Sequence, residues 1–155
     1  MPPAKKNTPR AHASIRFHFE KKGVSLPDRG QLKRFIERMT RREKKKTGRI
    51  DIIFCSDRRL LAINREFLGH DYYTDIITFG LSKSGPIMAE IYISVDRIRD
   101  NARAYGTSLR SELHRVIFHG VLHLCGYGDK SRNEVKMMRA KEERALHQYF
   151  KLCST

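Results

Sequence analysis

Two histidines stand four residues apart in the stretch His119-Gly-Val-Leu-His123-Leu-Cys-Gly126-Tyr-Gly-Asp129. On a helix that spacing puts them one turn apart on one face, about 6 Å along the axis, where they can share an ion. Gly126 falls where a helix commonly reverses through a left-handed cap, so the chain can double back. That reversal brings Asp129 within reach as a third ligand. Three protein ligands leave a position for water, the arrangement of a catalytic rather than a closed structural site. The plainer reading makes both histidines core residues beside Val116, Leu122 and Leu124. The glycine three places after His123 and the acid three further on favour the metal.

The residue after the first histidine separates hydrolase classes. Zinc peptidases of the H-E-x-x-H type need that glutamate as general base, and this chain has Gly120 there. Phosphodiester cleavage can do without it, because a metal acidifies water and neutralises charge on phosphoryl oxygens. The ligand set, two histidines and a carboxylate, suits zinc and leaves iron, nickel and cobalt open.

Composition supplies a substrate class. Lys and Arg number 32 against 17 Asp and Glu, a net charge of +15 at pH 7 and a pI near 10.1. So basic a chain expects a polyanionic partner, nucleic acid first and an anionic membrane surface second. The three cysteines (Cys55, Cys125, Cys153) form no CxxC pair and point to a reducing compartment. No apolar run approaches the roughly 18 residues of a membrane span, and the start, Met-Pro-Pro-Ala-Lys-Lys, lacks a signal-peptide apolar region. The expected location is the cytoplasm, with no membrane partner.

The elements that must position this chemistry read as follows. Residues 1–13 form a disordered basic arm and 14–155 a single domain. Strands are expected over 15–19, 49–55, 74–79 and 88–94, and a helix over 28–42 on the stripe Leu32, Phe35, Ile36 and Met39. Ser56 or Asp57 caps a second helix carrying Leu60, Leu61, Ile63, Asn64 and Phe67. Helices over 95–105, 108–125 and 133–150 complete the chain, Gly106 ending the first and Ser108 capping the second. The order β-α-β-α-β-β-α-α-α predicts an α+β fold: a small mixed four-stranded sheet packed with about five helices, one bearing a metalloprotease-like metal site.

At these residues the chain resembles the YbeY family of bacterial metal-dependent endoribonucleases, which act in ribosomal RNA maturation. The family hallmark H-G-x-L-H-L-x-G-Y-D-H is met from His119 to Tyr127 without departure. Ile63-Asn-Arg-Glu-Phe67 is similar to its L-N-x-x-Y segment, Thr74-Asp-Ile-Ile-Thr-Phe79 to T-D-V-L-S-F, and Ala89-Glu-Ile-Tyr-Ile-Ser94 to G-D-I-x-I-S. Met138-x3-Glu142-x3-Leu146 matches the closing helix, so the likeness spans roughly 50–146. Two positions differ. The family's third histidine ligand is Asp129 here, after Gly128, and the arginine that follows L-N-x-x-Y is Leu68. Arg65, three positions earlier and close to one helical turn away, is the candidate substitute for that cation.

The resemblance implies a single-strand-specific endoribonuclease using one divalent ion, zinc first, on His119, His123 and Asp129, with ribosomal RNA and the ribosomal subunit as partners and no DNA. Arg65 joins the histidines as a catalytic candidate. The competing expectation is a ribosome-associated RNA-binding factor whose metal is structural, which Leu68 favours. Glu90 reads as a cleft acid or a solvent-facing strand residue, Asp75 as a turn cap or a cleft residue. Tyr72 and Tyr73 read as base-stacking platforms or an ordinary half-buried pair, and Cys125 as filler. His114, five before His119, should point off the metal face.

Overall fold

The computed structural model describes residues 13–154, so the expected arm, but for its last residue, lies outside the described residues. The elements follow in the predicted order: β1 (Ser14–Phe19), α1 (Arg29–Arg42), β2 (Thr47–Cys55), α2 (Asp57–Leu68), β3 (Ile76–Gly80), β4 (Ile87–Ser94), α3 (Val95–Tyr105), α4 (Leu109–Leu124) and α5 (Arg132–Cys153). The sheet runs β1-β2-β4-β3, with β1 parallel to β2, β2 parallel to β4, and β3 antiparallel to β4. This is the expected α+β fold with a mixed four-stranded sheet and five helices.

The inner strands β2 and β4 are the most apolar, as strands covered on both faces must be. Ile50, Ile52 and Phe54 of β2 and Ala89, Ile91 and Ile93 of β4 face the main core, which α1, α4 and α5 close with Phe35, Ile36, Ile117, Phe118 and Tyr149. On the opposite face, Leu60 and Ile63 of α2 cover Cys55 and Ile77. Four helices begin alike: Ser56, Ser94, Ser108 and Ser131 each accept the N–H three residues on, satisfying a backbone donor that the first turn leaves free.

Several boundaries differ from the sequence reading, among them the start of β2, at Thr47 rather than Arg49, and those of β3 and α5. β3 begins at Ile76 rather than Thr74, leaving outside the strand the β-branched Thr74 and also Asp75, a residue type depleted in strands. The Asp75 carbonyl instead accepts the Ser94 N–H at 2.9 Å, which turns the chain into the ladder. α5 begins at Arg132 under its Ser131 cap and continues to Cys153.

Gly120 explains how α4 lies on the sheet. A Cβ built there would sit 2.9 Å from Ile76 Cδ1 and 3.1 Å from Ile91 Cδ1, so the missing side chain is what allows close approach of helix to β3 and β4. Alanine at 120 gains about 1 kcal/mol of helix propensity and loses about 1–3 kcal/mol to overpacking. The expected outcome for Gly120→Ala is a net loss of about 1 kcal/mol, lowering the melting temperature by about 2–4 °C. A melting temperature at or above wild type would show that the two isoleucines can yield.

Candidate metal centre

α4 ends as the sequence predicts. The Gly126 N–H reaches the His123 carbonyl at 3.0 Å and the Tyr127 N–H reaches the Leu122 carbonyl at 3.1 Å, with Gly126 at φ +107°. This pair of bonds is a Schellman motif, which satisfies terminal carbonyls and turns the chain back over the helix end. Asp129 is thereby returned to the side of α4 that carries His119 and His123.

Each histidine is held by its Nδ1. His123 Nδ1 lies 3.0 Å from the Tyr127 carbonyl oxygen. That oxygen can only accept, so Nδ1 carries the proton and Nε2 keeps its lone pair. His119 Nδ1 lies 3.4 Å from Glu142 Oε2, and its Nε2 lies 3.4 Å from Asp129 Oδ2. Two donors each about 2.0–2.1 Å from a tetrahedral zinc stand roughly 3.3–3.4 Å from one another, so the His119–Asp129 pair is at ligand spacing. Metal-binding histidines ordinarily donate the second ring N–H to a carboxylate or carbonyl, the pattern both rings display. Among the described residues no three His, Cys, Asp or Glu side chains converge as a preformed cage. The arrangement is one pair at ligand spacing with His123 beside it on the same wall.

That wall belongs to a cleft of about 350 Å³ between α4, β3 and the turn after α4, also lined by Thr74, Asp75, Thr78, Arg115 and Lys130. Arg115 organises the charges behind it. Its guanidinium donates to Glu112 at 2.6 and 2.9 Å and to Glu142 at 2.7 Å, and stands 4.0 Å from Asp75. Asp75, Asp129, Glu112 and Glu142 against Arg115 and Lys130 leave two negative charges in a chain of net charge +15. A divalent cation would neutralise them, so the donor set fits such an ion.

The same carboxylates perturb His119. Burial pushes its pKa down, but the hydrogen bond and charge of Glu142, then the charges of Asp129 and Asp75, outweigh burial and hold it above the ordinary value. Burial likewise pushes Glu142 up, while His119 and Arg115 pull it below the usual carboxylate range. The pocket is built to keep a positive charge at His119 Nε2, whether proton or metal.

Other expected residues lie elsewhere. Arg65, exposed on the outer side of α2, pairs with Asp71 beyond the helix end and does not line the cleft; Leu68, the last residue of the helix, is also exposed. Glu90 accepts from the Tyr92 hydroxyl on the sheet face away from α4, while Asp75 does line the cleft. Tyr72 and Tyr73 are both more than half exposed, Tyr73 lying under the Arg97 guanidinium. His114 points off the metal face into the core, stacked on Tyr149, and burial lowers its pKa. Burial pushes the Cys125 thiol up to about 11, so it is a packing group rather than a ligand.

Glu142, Arg115 and Glu112 were not singled out as site residues from the sequence. The available signal was charge at helix positions that the apolar stripes bury: Glu112 and Glu142 are each only 2% exposed.

Comparison with known proteins gives the chain its family. A family model described as endoribonuclease YbeY matches residues 16–150. The endoribonuclease YbeY of Cytophaga hutchinsonii is 46% identical over 134 residues, covering 86% of this chain and 94% of the relative. That of Porphyromonas gingivalis is 47% identical over 136 residues, covering 86% and 89%. The solution structure of a Thermotoga maritima protein matches with a TM-score of 0.58 at 27% identity, over 90% of this chain and 91% of the other.

Proposed function

Because the chain belongs to the YbeY family of endoribonucleases, we propose that it cuts single-stranded RNA in ribosomal RNA maturation, with one divalent ion on His119, His123 and Asp129. The observation that carries this reading is the pair of imidazoles tied at Nδ1, one of them with Nε2 at 3.4 Å from Asp129 Oδ2. Two imidazoles and a carboxylate suit zinc. When bound, the ion supplies acidification of water and charge neutralisation at the phosphoryl oxygens.

The chain's own residues do the positioning. Glu142 keeps the proton on His119 Nδ1, and the Tyr127 carbonyl keeps the proton on His123 Nδ1. Arg115 is engaged by Glu112 and Glu142 and so fixes the scaffold. Lys130 lines the cleft and has no carboxylate within 4.0 Å among the described residues, so its ammonium is free to meet a phosphate. Arg65, exposed on α2 outside the cleft and paired with Asp71, would have to exchange that carboxylate for a strand phosphate to contribute. A cleft of about 350 Å³ admits one unpaired unit of a flexible strand, which accounts for single-strand specificity. Residues 14–155 act as one domain in the cytoplasm, with the ribosomal subunit as the source of substrate.

The test uses a labelled single-stranded RNA and a duplex of the same sequence. The single strand should be cut and the duplex spared, with cutting lost on chelation and restored by zinc. Cutting that survives complete chelation would exclude the metal mechanism. Absence of cutting with tight RNA binding would favour the second reading, an RNA-binding factor with a structural metal, which Leu68 in place of the family arginine supports.

Affinity for a single strand should depend steeply on salt. Each phosphate contact contributes about −0.7 to the slope of log affinity against log salt, so roughly five contacts give about −3.5. A slope near zero would mean that the basic residues serve only as a solvated surface.

A further inference from the structure

A second groove, sharing no lining residue with the cleft, opens between the end of α1 and the middle of α5. Its volume is about 220 Å³, below the ~300–1,000 Å³ of pockets for drug-sized ligands and suited to a single planar ring. Its floor is Met39, Leu122 and Ala145, all buried, and its exposed edge carries Arg42 and Arg144. Glu43 is the acid within it, already taken by the Tyr127 hydroxyl at 2.8 Å and Lys141 at 3.1 Å. Arg42 donates only to the neutral Gln148 side chain, and Arg144 has no carboxylate within 4.0 Å among the described residues. Next to Arg42 in the chain, Lys44, Lys45 and Lys46 are exposed and equally free of carboxylate partners among the described residues.

An apolar floor the size of one ring, edged by unpaired cations, matches a nucleotide: base on the floor, phosphates at the edge. We propose that this groove seats one unpaired nucleotide of the RNA strand beyond the cleft, its base against Met39 and Leu122, with Arg42 and Arg144 on the flanking phosphates. Lys44 to Lys46 continue the phosphate track. The inference rests on the chain acting on RNA. The groove is also tied to the metal centre: Lys141, in its lining, lies over the Tyr127 ring at 5.0 Å, and the carbonyl of Tyr127 holds His123. A strand in the groove therefore borders the residue that orients a proposed ligand.

The test is binding of the full chain to an unstructured fluorescent oligoribonucleotide, followed by anisotropy with chelator present so that nothing is cut. Arg42→Glu/Arg144→Glu should weaken binding by about 30-fold or more at low salt, since two phosphate contacts become repulsions. The control reversal Arg58→Glu/Arg103→Glu, at exposed positions outside the groove, should weaken it several-fold less. Ala145→Leu, which fills the groove without changing charge, should weaken the oligoribonucleotide but not an abasic ribose-phosphate oligomer, with melting curves confirming its fold. Equal losses for both charge reversals would overturn the proposal in favour of a diffuse field. Equal binding of normal and abasic strands by wild type, or displacement by an acidic peptide as effective as by RNA, would overturn it as well. Failure here is separable from failure of the nuclease reading, because this test reads binding with chelator present, whereas the nuclease reading stands or falls on whether wild-type cutting is lost on chelation and restored by zinc.

Discussion

His123→Ala protein should lose metal-dependent cleavage of single-stranded RNA while remaining folded. A metal ion at a phosphoryl centre supplies several kcal/mol of charge stabilisation, so its loss lowers the rate by about two to three orders of magnitude or more. The fold should hardly notice. His123 is exposed on the cleft wall, and the substitution gives up one hydrogen bond, to the Tyr127 carbonyl, worth about 0.5–1.5 kcal/mol. The measurement is cleavage of labelled RNA by wild type and variant purified side by side, with bound metal and melting curves determined on the same samples. Equal cutting by both would identify a contaminating ribonuclease and remove the support for an enzymatic metal.

Glu142→Gln should weaken metal binding by about 10–100-fold, the usual effect of losing the partner that orients a ligand. The reason is an inventory of donors. Both carboxylate oxygens of Glu142 accept, one from Arg115 at 2.7 Å and the other facing His119 Nδ1 at 3.4 Å. Glutamine offers one acceptor and one amide donor. If its oxygen serves Arg115, its amide points at His119 Nδ1 and drives the proton to Nε2, the nitrogen required by the metal. If its oxygen serves His119, the amide opposes the guanidinium in a site where Glu142 is 2% exposed. The stability cost in chelator should be about 1–3 kcal/mol, less than the charge alone suggests because Arg115 keeps Glu112. Competition with a chromophoric chelator and thermal melts of the metal-free protein separate the two effects. A lowered melting temperature with unchanged metal affinity would make Glu142 a packing residue only.

How much of this was legible in the sequence follows from the range of the forces involved. The element order was readable because periodicity and serine caps are local, and so was the pair His119 and His123, a matter of helical pitch. The return of Asp129 was readable from Gly126, since the Schellman motif is closed within six residues. Arg115 and Glu142 could not be assigned in the same way: they lie 27 residues apart and meet only because α4 and α5 lie against each other. Arg65 shows the opposite case, a residue expected at the site that does not line the cleft. Its spacing along α2 is correct, but α2 covers the sheet face away from α4, which local pitch cannot reveal. Asp75 stayed ambiguous because its neighbours read as strand, whereas its place in the cleft comes from β3 starting at Ile76, two residues later than the sequence reading.

The closeness of α4 to the sheet at Gly120 also bears on what this scaffold can become. A glutamate at that position would complete the H-E-x-x-H motif in a single substitution, yet its side chain would start 2.9 Å from Ile76 and 3.1 Å from Ile91. The motif is therefore one substitution away, at the cost of crowding against those two side chains. Both closest contacts are to Cδ1 methyls at side-chain ends, so the change would ask Ile76 and Ile91 to shift within the core. The glycine that lets the helix settle on its sheet also leaves no carboxylate base beside the proposed metal, which suits substrates that need none.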